Sequence, residues 1–228
     1  GKSTANALWG NTAAVLLGDF LLSRAFFLGT SLQTKPAANI LGQMAYDLCC
    51  GELRQNLCKG RWDISLQAYY QIIEAKTASL FKNSCCLGAM VSQAMPQQIE
   101  AISRFGLHMG MAFQMADDLL DILGTQEEAG KTLGTDLGQG KLTLPVIHWI
   151  GQDPTKKRER IAQLEQGCGR HELICQLTDS GSLNYAAAQI HERITLAKRP
   201  LAKIPSGTAK DALAALADEV AEHKSMAT

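Results

Sequence analysis

Residues Ala112–Gly124 read AFQMADDLLDILG, placing Asp117, Asp118 and Asp121 in a stretch that is otherwise almost wholly apolar. No lysine or arginine occurs between Phe105 and Gly130. A carboxylate cluster withdrawn from water without a cation is costly. Either these side chains face solvent, or a positive charge reaches them from outside the protein. On a helix turning 100° per residue the three aspartates fall within about a quarter of the circumference, with Asp121 one turn beyond Asp117. Gln114 lies on the same arc, one turn earlier.

The flanking residues are Phe113, Met115, Ala116, Leu119, Leu120 and Ile122, and no helix-spaced lysine offsets the aspartates. A helix apolar over most of its surface belongs inside a bundle, which weighs against a merely solvated acidic face. Mg2+ takes oxygen ligands, often only one or two carboxylates, and completes its shell with water and phosphate oxygens. Asp117, Asp118 and Asp121 therefore read as half of a metal–phosphate site. The arc continues backwards through Gly110 and Gly106. Glycine destabilises a helix interior by roughly 1 kcal/mol relative to alanine, so each needs a reason. Close helix packing is one, and an open channel for a long apolar substrate is the other.

Outward from this stretch the periodicity stays helical. Apolar and polar residues alternate convincingly nowhere and β-branched residues are sparse, so helices are predicted over roughly 4–29, 36–60, 65–92, 96–124, 140–151, 155–166, 169–178, 182–202 and 207–224. The fold class is all-α: an antiparallel helical bundle around a central channel, with residues 1–228 as one domain. Hydrophobic residues at 46% and charged residues at 19% fit a globular chain with a sizeable core. The 22 basic and 22 acidic residues cancel, and nothing in net charge points to nucleic acid. Asp19 and Arg24 interrupt the most apolar stretch, 12–29, which reads as a buried helix and not a membrane span. Seven cysteines in irregular spacing suggest no disulfide framework or zinc site, and a reducing cytoplasmic setting is expected.

Two further segments carry candidate chemistry. In YYQIIEAKTASLFKNSCCLGA, residues 69–89, Lys76 and Thr77 sit within an amphipathic helix, and Phe81, Ser84 and Gly88 follow Thr77 down one face. Lys76 is either a surface lysine or a point charge for phosphate. The irregular stretch after Gly124 carries Lys131 and Lys141, each directly after a glycine. Gly130-Lys131-Thr132 is not a nucleotide-binding P-loop. Five residues separate Gly124 from Gly130 where four are required, and a helix precedes them where a strand is needed. Following the acidic helix directly, these lysines either reach over a metal-bound polyphosphate or are the ordinary charges of a mobile surface loop.

Taken together, GNTAAVLLGDFLLSRAF (10–26), CCGELRQN (49–56), AKTASLF (75–81), GMAFQMADDLLDILG (110–124), GKTLGTDLGQGKLTLP (130–145) and the tail 197–224 resemble the polyprenyl diphosphate synthase family, along the whole chain and in order. The resemblance implies a Mg2+-dependent prenyltransferase that joins isopentenyl diphosphate to an allylic prenyl diphosphate. It places Asp117, Asp118 and Asp121 at the family's second aspartate-rich motif, with Asp117 and Asp121 holding Mg2+. Lys76, Lys131 and Lys141 correspond to lysines that grip the allylic diphosphate, and Thr77 and Gln114 to residues at the same site. Asp117, Asp118, Lys76 and Lys141 form the expected catalytic set. The family is commonly homodimeric, with helix 12–29 or the helix near Pro36 as candidate interface. The family's first aspartate-rich motif and an arginine pair precede a glycine matching Gly1, and no second DDxxD is present here. An N-terminally truncated, inactive chain is therefore expected. A non-catalytic partner subunit and a class I terpene cyclase are the alternatives. The intact lysines and aspartates argue against the first, and the KTA and GKxxGxDL segments against the second.

Overall fold

The computed structural model describes residues 3–31, 35–124 and 134–222. Every regular element among them is a helix, and there is no strand. The chain divides into two units, residues 1–46 and 47–228.

The first unit comprises α1 (Ala5–Ser31) and the beginning of α2 (Lys35–Leu57). Gly10, at φ 80°, kinks α1 near its start. Gly29 is buried where a Cβ would overlap Leu41 Cδ1. Most of the remaining apolar side chains of α1, among them Leu16, Phe20 and Leu21, are exposed. By length and composition α1 is the one helix among the described residues able to cross a membrane, although Asp19 and Arg24 lie within it.

The second unit is built on α5 (Pro96–Leu123). Pro96 opens this helix, where its missing N–H leaves no intrahelical bond unmade. Gln98 reaches back to accept from the Met95 N–H at 2.9 Å. At the other end Arg170 donates through Nε to the Ile122 carbonyl at 3.0 Å and through Nη2 to that of Gly124 at 2.6 Å. A cation on these last carbonyls is favoured by the helix dipole. Phe105, Met109, Ala112, Met115, Ala116 and Leu119 of α5 are all buried. So one broad face of the helix is enclosed, while Glu100, Arg104 and Phe113 stay exposed.

The predicted helix 65–92 is three elements: α3 (Leu66–Ile73), a single π-helical turn (Glu74–Ala78) and α4 (Ser79–Val91). Ser65 caps α3, its Oγ accepting from the Ala68 N–H. The remaining elements are α6 (Thr135–Gly138), α7 (Leu144–Gln152), α8 (Lys157–Glu165), α9 (Arg170–Asp179), α10 (Ser182–Lys198), a 3-10 turn (Arg199–Lys203) and α11 (Thr208–Glu222). The predicted helix 140–151 starts only at Leu144, with Pro145 in its first turn, because Gly140 (φ 69°) and the extended Thr143 precede it. The α4 and α10 helices pack along α5.

The glycine stripe resolves in favour of packing. A Cβ on Gly106 would lie 2.6 Å from the Phe81 carbonyl oxygen, and one on Gly110 2.6 Å from the Ala78 Cα. Both glycines are buried, and they let α4 and the π turn lie directly against α5. Ser84 and Gly88, by contrast, are exposed, and nothing lies within 4 Å of a Cβ built on Gly88. All seven cysteines are free.

Candidate active site

The acidic helix presents its aspartates unequally. Asp117 is half-buried, Asp118 is 6% exposed and Asp121 only 2% exposed. Asp118 turns inward. Its Oδ2 accepts the Tyr69 hydroxyl at 2.7 Å, and its Oδ1 accepts Gln114 Nε2 at 2.9 Å. Burial pushes the Asp118 carboxyl up to about 7, the two hydrogen bonds opposing that shift. Burial, together with the Asp118 charge, likewise holds the Tyr69 phenol well above its ordinary range. Both Asp118 oxygens thus accept from protein donors, one on α3 and one on α5. Asp118 thereby ties α3 to the acidic helix.

Asp121 ties the acidic helix to the segment that follows it. Its Oδ2 accepts the Asp136 backbone N–H at 3.2 Å, and its carbonyl accepts the Gly134 N–H at 3.0 Å. Asp136 in turn pairs with Lys141, Nζ to Oδ1, at 3.2 Å, and its carbonyl accepts the Lys141 N–H at 2.8 Å. Lys141 follows Gly140, which has φ 69° and whose carbonyl oxygen accepts the Gly60 N–H at 2.9 Å. A Cβ on Gly140 would sit 2.7 Å from that nitrogen, so glycine alone meets both the left-handed backbone and the close approach. Lys141 is thereby brought into the acidic network. Lys131 lies outside the described residues.

On the opposite side, the π turn carries Lys76 and Thr77. The Ser79 N–H reaches five residues back to the Glu74 carbonyl, and the Ser79 hydroxyl donates to the Ala75 carbonyl at 2.6 Å. Such single π turns often occur at functional sites, because the extra residue re-aims the side chains it carries. Thr77 donates its hydroxyl hydrogen to Gln114 Oε1 at 2.7 Å, joining the turn to α5. Lys76 pairs with Glu52 at 3.2 Å and donates to Gln55 Oε1 at 2.8 Å, both on α2. Its contacts are with α2 and not with the α5 carboxylates. A Cβ on Gly51 would come within 2.4 Å of the Lys76 nitrogen. Sequence reasoning missed Tyr69, Asp136, Glu52 and Gln55. All four lay in segments already singled out, YYQIIEAKTASLFKNSCCLGA, CCGELRQN and GKTLGTDLGQGKLTLP, but none was picked from them.

Among the described residues no three or more His, Cys, Asp or Glu side chains converge to enclose a metal by themselves. Two carboxylates on adjacent turns of one helix, with a lysine-bearing segment fixed beside them, instead suit a hard cation that draws its other ligands from a phosphate.

The sequence pattern of the polyprenyl synthetase family matches residues 1–177. The chain belongs to the polyprenyl synthetase family. It is 34% identical over 221 residues to octaprenyl diphosphate synthase of Escherichia coli, covering 95% of this chain and 68% of that one. With the short chain isoprenyl diphosphate synthase of Methanothermobacter thermautotrophicus it shares 32% identity over 232 residues, covering 98% and 71%. A polyprenyl synthase of Caulobacter crescentus, solved with calcium and isoprenyl diphosphate, superposes with a TM-score of 0.89 at 31% identity over 98% of this chain and 70% of that one. A decaprenyl diphosphate synthase of Rhodobacter capsulatus does so with a TM-score of 0.88, again at 31% identity and with the same coverage. The family's members are prenyl-transferring enzymes of isoprenoid biosynthesis, and the polyprenyl synthetase fold is the all-α bundle that the sequence predicts.

Proposed function

We propose that this polyprenyl synthetase elongates an allylic prenyl diphosphate with isopentenyl diphosphate. The observation that carries this reading is the linkage of Asp121 through Asp136 to Lys141, which fixes a cation-binding carboxylate and a phosphate-binding ammonium in one network. Asp117 and Asp121 hold Mg2+, which when bound neutralises the diphosphate leaving group. Lys141 adds a further positive charge against the same diphosphate, and Thr77 and Gln114 line the site. In the reaction the allylic C–O bond breaks and pyrophosphate departs with the electron pair. The isopentenyl double bond supplies the electrons of the new C–C bond. Loss of one proton, with pyrophosphate as the available base, then restores a double bond.

Titration calorimetry with inorganic pyrophosphate and Mg2+ tests the reading on the full-length gene product. Lys141→Ala is expected to weaken binding about tenfold, equivalent to about 1.4 kcal/mol for one charge contact. Arg158→Ala, on the exposed face of α8, is expected to change nothing. Equal affinity of the wild type and Lys141→Ala, or binding indifferent to Mg2+, would remove the assignment.

The exposed apolar face of α1 is read as the seam of a cytoplasmic homodimer, since so many large apolar side chains are costly to leave in water. Light scattering is expected to give twice the mass of the chain, and Phe20→Glu to shift it towards the monomer. A monomeric wild type would refute the seam.

A further inference from the structure

Among the buried polar groups that the mechanism leaves unused is the hydroxyl of Tyr69. Tyr69 lies on α3, is 3% exposed, and packs edge-on against Tyr70 with ring centroids 5.6 Å apart. Its hydroxyl donates to Asp118 Oδ2, the first of three bonds whose directions depend on one another. A carboxylate that accepts at both oxygens obliges Gln114 to offer nitrogen, and Gln114 Nε2 donates to Asp118 Oδ1. The amide oxygen then faces the other way, and the Thr77 hydroxyl donates to it. With its hydrogen committed to Gln114, Thr77 turns its lone pairs away from α5.

The two ends of a carboxamide have nearly the same shape, so packing alone does not choose between them. The choice rests on the carboxylate, and the carboxylate's rotation rests on the hydroxyl holding its other oxygen. The chain spans α3, α5 and the π turn, and Tyr69 and Asp118 are 49 residues apart in sequence. Linked hydrogen bonds of this kind act as a unit in a buried setting.

We propose that Tyr69 is a positioning residue of the diphosphate site, orienting Thr77 through Asp118 and Gln114. The inference rests on the diphosphate reading of the site given above. Tyr69→Phe keeps the ring and deletes only the hydroxyl. Two readouts on the full-length gene product test it. The first needs no ligand: the side-chain amide resonances of Gln114 are expected to shift in Tyr69→Phe, and unmoved resonances would overturn the proposal. The second is calorimetric titration with an allylic thiolodiphosphate and Mg2+. Tyr69→Phe is expected to weaken binding about three- to tenfold. Thr77→Val should do the same, and the double variant should bind no more weakly than Thr77→Val alone, the signature of residues acting through one another. Wild-type affinity in Tyr69→Phe, or losses that multiply in the double variant, would overturn the role. Should Tyr69→Phe fail to fold, Gln114→Glu serves instead. It breaks the same relay with Tyr69 intact and is expected to match Thr77→Val, while wild-type affinity in that variant would overturn the proposal. Failure of the diphosphate reading looks different: the wild type itself does not bind the analogue, and the proposal falls with it.

Discussion

Asp117→Asn is expected to lower turnover of the full-length enzyme by about 10²–10³-fold while leaving the fold in place. Deleting one preorganised electrostatic contact to a developing charge has an effect of this size, equivalent to about 3–4 kcal/mol of barrier. Asp117 is the aspartate suited to the experiment. It is half-buried on α5, and asparagine preserves its shape. Asp118 is unsuited, because an asparagine there turns a donor towards Tyr69 or Gln114, both of which already donate. Asp121 is buried and bonded to the Asp136 N–H, so a change there also disturbs the segment that carries Lys141. Steady-state kinetics across a Mg2+ series give the test. A cation ligand predicts both a lower kcat and a higher half-saturating Mg2+ concentration. Turnover within threefold of wild type at every Mg2+ concentration would show that Asp117 does not face the cation.

The contrast among the three aspartates marks where sequence reasoning stopped. Helical spacing correctly put Asp117, Asp118 and Asp121 on one arc, and the apolar flanks correctly enclosed one broad face of α5. An arc drawn on a helical wheel does not say which side chain meets a donor from another element, and Tyr69 comes from 49 residues away. The glycine stripe was legible as a feature and ambiguous as a cause, because close packing and an open channel call for the same residue type. Only the positions of Phe81 and Ala78 against Gly106 and Gly110 decide it. The π turn had no sequence signal at all: EAKTA contains no proline or glycine, and Gly51 of α2 and Gly110 of α5 clasp its backbone. Lys141 was found through its charge, whereas its partner Asp136 was passed over in a segment whose lysines drew attention.

That clasp carries the second large effect, on stability. Gly51→Ala and Gly110→Ala are each expected to lower the unfolding midpoint, whereas Gly88→Ala is expected to raise it. All three glycines are helical, so alanine brings the same gain of about 1 kcal/mol in helix propensity. The difference lies in what a methyl group meets. At Gly88 it meets nothing within 4 Å. At Gly51 it falls 2.4 Å from the Lys76 nitrogen, and at Gly110 2.6 Å from the Ala78 Cα, both backbone atoms of the π turn. Backbone does not rotate aside as a side-chain tip does, and overpacking of this kind costs typically about 1–3 kcal/mol. With about 2–4 °C per kcal/mol for a domain of this size, Gly88→Ala gains a few degrees. The double variant Gly51→Ala/Gly110→Ala loses as much as about 15 °C, because the backbone of the turn is pressed at both Lys76 and Ala78. Differential scanning calorimetry decides it: equal shifts for Gly51→Ala and Gly88→Ala would mean that the turn is not gripped. The same pressure displaces Lys76 and Thr77, so a stabilised Gly88→Ala protein should bind pyrophosphate as wild type does, and a folded Gly51→Ala protein more weakly. The closeness of α2 and α5 to the π turn thus sets both the stability of this region and the aim of the two side chains it presents.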